Sequence, residues 1–299
     1  MNKIFSFSLI LLTALAVVSC DKDDDNADAL GWNDGKRLVK SVYYNADGAE
    51  MRTVERTYGA NLECATTYKD GTPVEKTELR KSDNASSEQI YAWQSGNWEM
   101  TRERIEKKDS QGRILSVEVV EGNPGNRSSL TWYTYSGDST IVVISIDGKP
   151  ESKLVSVKRG GTTEVIHYLY AGDYQWKEID YHKSVITYVS GNSTKPLSWV
   201  TYNREGNEIS RYDYEWDGEN YKEYRTGFGV KRLYGDFVVD GNTKTRILYD
   251  TDNLDDADVS TPYEKIVTKE MDLTIEEYTY RYSDGWVLRQ KKVDYYEKK

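Results

Sequence analysis

Basic character is scarce in this chain. Its 299 residues carry 50 Asp and Glu against 40 Lys and Arg, a formal charge of −10 at pH 7. Nucleic-acid binding runs on a basic face, so that class is excluded. Cysteine is nearly absent. Cys20 and Cys64 are the whole inventory, too few for a disulfide framework, and Cys64 in "NLECATTY" has the place of a small apolar strand residue. Histidine is limited to His167 and His182; without HxxxH or CxxC spacing they read as ordinary strand residues and not as a zinc site. No GxSxG elbow, HExxH, P-loop or Rossmann glycine pattern occurs. The sequence assigns no catalytic residue, no metal ligand and no cofactor, and the expectation is a protein that is not an enzyme.

Phenylalanine is also rare, at 4 residues, whereas Tyr reaches 25 and Trp 8. Tyr and Trp join an apolar body to a polar tip and suit half-wet surfaces better than sealed interiors. With a mean hydropathy of −0.76, the composition is that of thin sheets and not of a thick core.

The one long apolar run is at the N-terminus. Lys3 precedes "LILLTALAVV" (Leu9 to Val18), a run of secretory length that ends at Val17-Val18-Ser19-Cys20. This resembles the lipobox of bacterial lipoproteins, in which cleavage falls before a cysteine that then carries the lipid. The resemblance implies a signal peptide over 1–19, lipidation of Cys20 and attachment to a membrane through that anchor alone. Loss of 1–19 removes only Lys3 among charged residues and leaves −11. Asp21, Lys22, Asp23, Asp24 and Asp25 resemble the acidic tether that directs lipoproteins of Bacteroidota to the cell surface. The resemblance implies an outer-membrane, cell-surface location. Residues 20–34 form an acidic, disordered leash, and 35–299 form the body.

Within the body an aromatic is repeatedly followed, two to four residues on, by Gly: "YNADG" at Tyr44, "YKDG" at Tyr68, "WQSG" at Trp93, "YNREG" at Tyr202, "WDG" at Trp216, "YSDG" at Tyr282. Asp-Gly and Ser-Gly reach the positive φ of tight hairpin turns. Alternating text follows the turns, as in "EISRYDYEW" and "WVLRQKKVDYY", and marks strands with one packed and one wet face. The fold class is all-β: antiparallel hairpin repeats in an extended twisted sheet that could close in part into a barrel. "DSQGRILSV" and "YNREGNEISRYDYEWDG" resemble the YD-repeat, or RHS-like, hairpin units of bacterial surface and toxin-shell proteins. The resemblance supports hairpin architecture and surface location and lends no activity. "NASSEQIYAW" leaves room for a turn or two of helix, "RTGFGVKRLYG" (Arg225 to Gly235) reads as a bulged strand, and the acidic stretch at about 250–262 as the longest loop.

That loop holds Asp250, Asp252, Asp255, Asp256 and Asp258, but Leu254 falls at the fifth position of a calcium loop and Asp255 at the position where Gly is needed. It reads as a solvated loop. The remaining candidates are the rings. Sugars stack their apolar faces on Trp and Tyr, and Trp93, Trp98, Trp176, Trp216 and Trp286 form the candidate ligand platform. The expected function is a non-catalytic binding module for a glycan or a surface protein. The alternatives are a structural or assembly component of the outer surface and, third, a carbohydrate-active enzyme.

Overall fold

The computed structural model describes residues 32–33, 35–122, 128–170, 176–227, 230–250 and 261–298. Cys20, the run Asp21 to Asp25 and the acidic residues from Asp252 to Asp258 lie outside the described residues. The described residues form 21 strands, β1 to β21 in chain order, and no helix. "NASSEQIYAW" is strand β6 (Ala85–Gln94). It has no apolar stripe of helical period, and its backbone groups are taken up by β5 (Thr72–Ser82) on one side and β7 (Asn97–Lys108) on the other. The Arg225 to Gly235 stretch is not one bulged strand. It is the end of β16 (Asn220–Gly227) and the start of β17 (Val230–Asp240), with a bulge where the pairing passes from Glu223↔Gly235 to Tyr224↔Leu233.

Each strand from β2 (Lys36–Asn45) onward pairs antiparallel with the next, and β21 (Trp286–Lys298) pairs back onto β2. The extended sheet is therefore a closed β-barrel of 20 antiparallel strands. Closure removes the two edges whose unpaired N–H and C=O groups would template aggregation. Strand β1 (Trp32–Asn33) adds only a short pairing to the start of β2. The turns follow the expected chemistry: Ser95 and Gly96, between β6 and β7, both have positive φ, at 49° and 91°. That is the signature of a two-residue hairpin turn whose twist matches the strands.

Twenty strands about 4.8 Å apart give a wall roughly 95 Å around, measured across the strands. Eight strands suffice to fill a barrel with side chains, whereas 16 to 18 already leave an aqueous bore. The core accordingly sits in the wall and not across it. Among the described residues the buried hydrophobics are Val42, Val142, Leu154, Val165, Ile186, Val200 and Val293, of which Val142, Leu154 and Val165 cluster with Tyr133.

Register separates the wall into two faces. Tyr133, Val142, Leu154 and His167 stand opposite one another along one row. Their face also carries the buried Ser152, Ser156, Thr163 and Ser184. Burial is heavier on this crowded face, although Val42, Thr53, Ser116, Val200 and Val293 are buried on the other. The neighbouring row, Ser116, Trp132, Val143, Lys153 and Tyr168, lies on the open face, where Trp132 is 51% exposed. Ion pairs stud both. Arg104–Glu106 at 2.6 Å and Lys292–Asp294 at 2.7 Å lie on the crowded face, Lys183–Glu164 at 2.9 Å and Lys291–Glu276 at 2.8 Å on the open one.

The rims differ. Strand β2 starts and β21 ends on the same rim, so the segment running back to Cys20 joins there. We call it the tether rim. The two connections longer than five residues, 122–127 and 251–260, both join strands at the opposite, free rim.

Candidate functional site

Three hairpins, set apart around the free rim, carry the same side-chain arrangement. In the first, Lys76 on β5 stands opposite Tyr91 on β6, with its ammonium 4.4 Å from the Tyr91 ring centre and 5.4 Å from that of Trp98 on β7. Trp98 in turn faces Trp93 across the hairpin, edge-on, with centroids 5.0 Å apart and planes at 67°.

The second cassette uses β11 (Lys149–Arg159), β12 (Thr162–Tyr170) and β13 (Trp176–Val189). Lys153 lies 4.4 Å from the ring of Tyr168 and 5.1 Å from that of Trp176, and Trp176 meets Tyr170 edge-on at 5.2 Å and 69°. The third uses β19 (Thr261–Glu270), β20 (Thr274–Tyr282) and β21. Lys265 lies 4.5 Å from Tyr280 and 4.8 Å from Trp286, and Trp286 meets Tyr282 edge-on at 5.3 Å and 78°.

The register explains the repetition. In each cassette Lys and Tyr are direct cross-strand partners, and so are the Trp and the second ring two residues after that Tyr. Edge-to-face ring pairs and an ammonium over a ring face are each favourable by about 0.5–1.5 kcal/mol, so the cassette holds its own shape. All three lie on the open face. Trp93 is 36% and Tyr282 42% exposed, which leaves part of each outermost ring available. Lys76 is shared with Glu78 at 2.8 Å; among the described residues neither Lys153 nor Lys265 has an ion-pair partner.

Four of the five tryptophans of the expected platform, Trp93, Trp98, Trp176 and Trp286, thus belong to these cassettes. Trp216 does not join them. It lies on the crowded face near the tether rim, donates its indole N–H to the Pro196 carbonyl at 2.7 Å and packs on Tyr221 at 4.7 Å. The lysines and the tyrosines Tyr91, Tyr168 and Tyr280 escaped the sequence reading, although a signal was present. Each lysine precedes its tyrosine by 15 residues (76 to 91, 153 to 168, 265 to 280), and each tyrosine is followed two residues later by another ring.

The other concentration of rings is on the crowded face near Trp216. Glu223 is buried there, takes a hydrogen bond from the Tyr214 hydroxyl at 3.3 Å and faces the Arg246 guanidinium at 3.7 Å. Burial pushes its carboxyl above the ordinary range, against the pull of Arg246 and Tyr214, and burial likewise pushes the Tyr214 phenol up. Gly235 lies opposite, where an added Cβ would come within 3.4 Å of the carboxylate. The carboxyl fills the space over that glycine, so the arrangement clamps strands together. Cys64 is half-buried on β4 (Leu62–Lys69), and His167 is buried in β12; the side chain of His182 lies outside the described residues. No group of three or more metal-ligating side chains occurs among the described residues.

No family model and no curated protein matches the sequence. Among solved structures, a porin-like protein from Bacteroides uniformis aligns at 8% identity over 88% of this chain and 96% of its own, with a TM-score of 0.36. A transferrin binding protein B double mutant from Haemophilus parasuis aligns at 8% identity over 83% of this chain and 66% of its own, with a TM-score of 0.22. A chain of the TcdB2-TccC3-Cdc42 structure aligns at 9% identity over 83% of this chain and 16% of its own, with a TM-score of 0.23. Scores this low carry neither family nor function.

Proposed function

We propose that this chain is a non-catalytic binding lipoprotein of the cell surface, anchored through Cys20 and binding glycan at the free rim of its barrel. The three Lys–Tyr–Trp cassettes carry the reading: the same half-exposed ring platform is built three times on the rim opposite the tether. Acyl chains on Cys20 would hold the tether rim toward the membrane, and the acidic leash over 20–34 would let the free rim face outward. A sugar ring stacks on an indole or phenol, and the nearby ammonium donates to its hydroxyls. Ion pairs on both faces favour a barrel that stands in water on its anchor and does not cross the bilayer.

A second reading has an observation of its own. The cassette rings contact one another across their hairpins, as a purely structural clamp also requires. Native affinity electrophoresis separates the two. The full chain, solubilised in mild detergent, is run through gels containing arabinoxylan, galactomannan, mixed-linkage β-glucan or polygalacturonate. Retardation that is weakened by Trp98→Ala, with the melting transition retained, supports binding. Unretarded migration in every gel leaves the cassettes as clamps and overturns the proposal.

A further inference from the structure

We propose that the three cassettes are equivalent subsites for one neutral, extended polysaccharide chain, which binds by engaging more than one of them at a time. The inference rests on the glycan-binding reading above and adds two things to it, valency and charge.

Valency comes from the placement. The cassettes are centred on β6, β12 and β20, so around the closed wall they are six, eight and six strands apart. At about 4.8 Å per strand, adjacent cassettes are roughly 30 to 40 Å from each other measured across the strands. One sugar or a short oligosaccharide cannot bridge that distance. Equivalent sites set around a ring answer a ligand that presents the same face again and again, which is a property of a polymer with a repeating unit. A folded protein partner would meet the rim with different contacts at each place, and three matching cassettes would serve it no better than three unlike ones.

Charge comes from what surrounds the rings. The turns of the free rim carry Asp47, Asp70, Asp147 and Asp284, each at a turn tip, alongside Lys69, Lys149 and Arg204 at the same rim. The whole chain is at −10. The net charge disfavours a polyanion, and a single ammonium in each cassette does not reverse that. Those ammonium groups cover one face of Tyr91, Tyr168 and Tyr280, so stacking falls to the outermost rings, Trp93, Tyr170 and Tyr282, with N–H donors close by for the hydroxyls. The combination of ring, neighbouring donor and surrounding carboxylates fits an uncharged sugar with an apolar C–H face.

The test compares chain length and substitution in the detergent-solubilised full chain. Galactomannan, arabinoxylan and mixed-linkage β-glucan are each used intact and as their hexasaccharide fractions, with polygalacturonate as the charged control. At least one neutral polymer is expected to bind ten-fold or more tightly than its own hexasaccharides, by the effective-concentration gain of linked sites. Trp98→Ala, Trp176→Ala and Trp286→Ala each reduce polymer affinity about three- to ten-fold, and the triple variant abolishes it. Lys76→Gln, Lys153→Gln and Lys265→Gln, which remove the charge, shorten the side chain by one atom and leave the rings in place, repeat the ranking should a Trp variant fail to fold. Hexasaccharides that bind as tightly as the polymer, or one substitution that abolishes binding alone, show a single site; multivalency then falls and the binding function stands. Preferential binding of polygalacturonate overturns the charge argument. No binding of any polysaccharide overturns both the inference and the function beneath it.

Discussion

Val42 and Val293 face each other across the pairing of the second strand with the last, and both are buried, at 3% and 4% exposure. They are distant in sequence, and their contact closes the wall. Truncating either to Ala removes two methyl groups from a site sealed on a seam, and the expected loss is about 1–3 kcal/mol. Val238→Ala, at a position 42% exposed, is expected to stay within about 0.5 kcal/mol of the parent. Urea midpoints at constant m report both. Equal effects at the two places would mean that the seam is not formed in solution.

How much of this was legible in the sequence depends on the range of the interaction. Hairpins are local: Ser95-Gly96 sets its own turn, and the alternation of "RYDYEW" sets its own faces, so the all-β class followed directly. Closure is not local. Val42 and Val293 carry no mark of being partners, and an open sheet would be written in nearly the same residues. The cassettes fall between these cases. Trp93, Trp98, Trp176 and Trp286 were visible as rings near turns, but Lys76, Lys153 and Lys265 sit a full strand away. Trp216 looks the same in sequence as Trp286; register alone sends it to the other face and the other rim.

Gly96→Ala tests the turn chemistry directly. At φ 91° an L side chain is strained, while nothing lies within 4 Å of the added Cβ. The penalty is therefore conformational, about 1–2 kcal/mol, with no steric part. Because the turn aligns Trp93 with Trp98, the exciton couplet of that indole pair in circular dichroism should weaken along with the urea midpoint. A loss of stability with the couplet intact would show that the strands, and not the turn, set the pairing.

Glu223→Gln addresses the buried carboxyl. Its folded-state pKa is raised, so the stability it contributes is present below its unfolded pKa and is lost as pH rises through the folded value. The neutral amide keeps the shape and can still bond to Tyr214. The variant should therefore be at least as stable as the parent near pH 7, with a flatter dependence of stability on pH through the weakly acidic range. Thermal melts at a series of pH values check this. A marked loss at pH 7 would mean that the pair with Arg246 outweighs the burial of the charge.

Tyr58 gives the alkaline counterpart. Its hydroxyl donates to the Leu38 carbonyl at 2.5 Å, beside a bulge in the second strand where pairing with the third strand has stopped, and its ring lies 4.3 Å from the Arg37 guanidinium. Burial, followed by the charge of Glu63, pushes its phenol up to about 12. For a group whose pKa is raised on folding, the contribution is complete below the unfolded value near 10 and disappears as pH climbs through the folded one. Tyr58→Phe should remove about 0.5–1.5 kcal/mol near neutral pH through the lost hydrogen bond and narrow the gap to the parent between pH 10 and 12. The backbone pairing of the third strand stops at Lys40 and this hydroxyl extends its hold to Leu38, so hydrogen exchange at residues 36–40 should rise in the variant. Unchanged exchange there would place the effect in the unfolded chain and not in the seam.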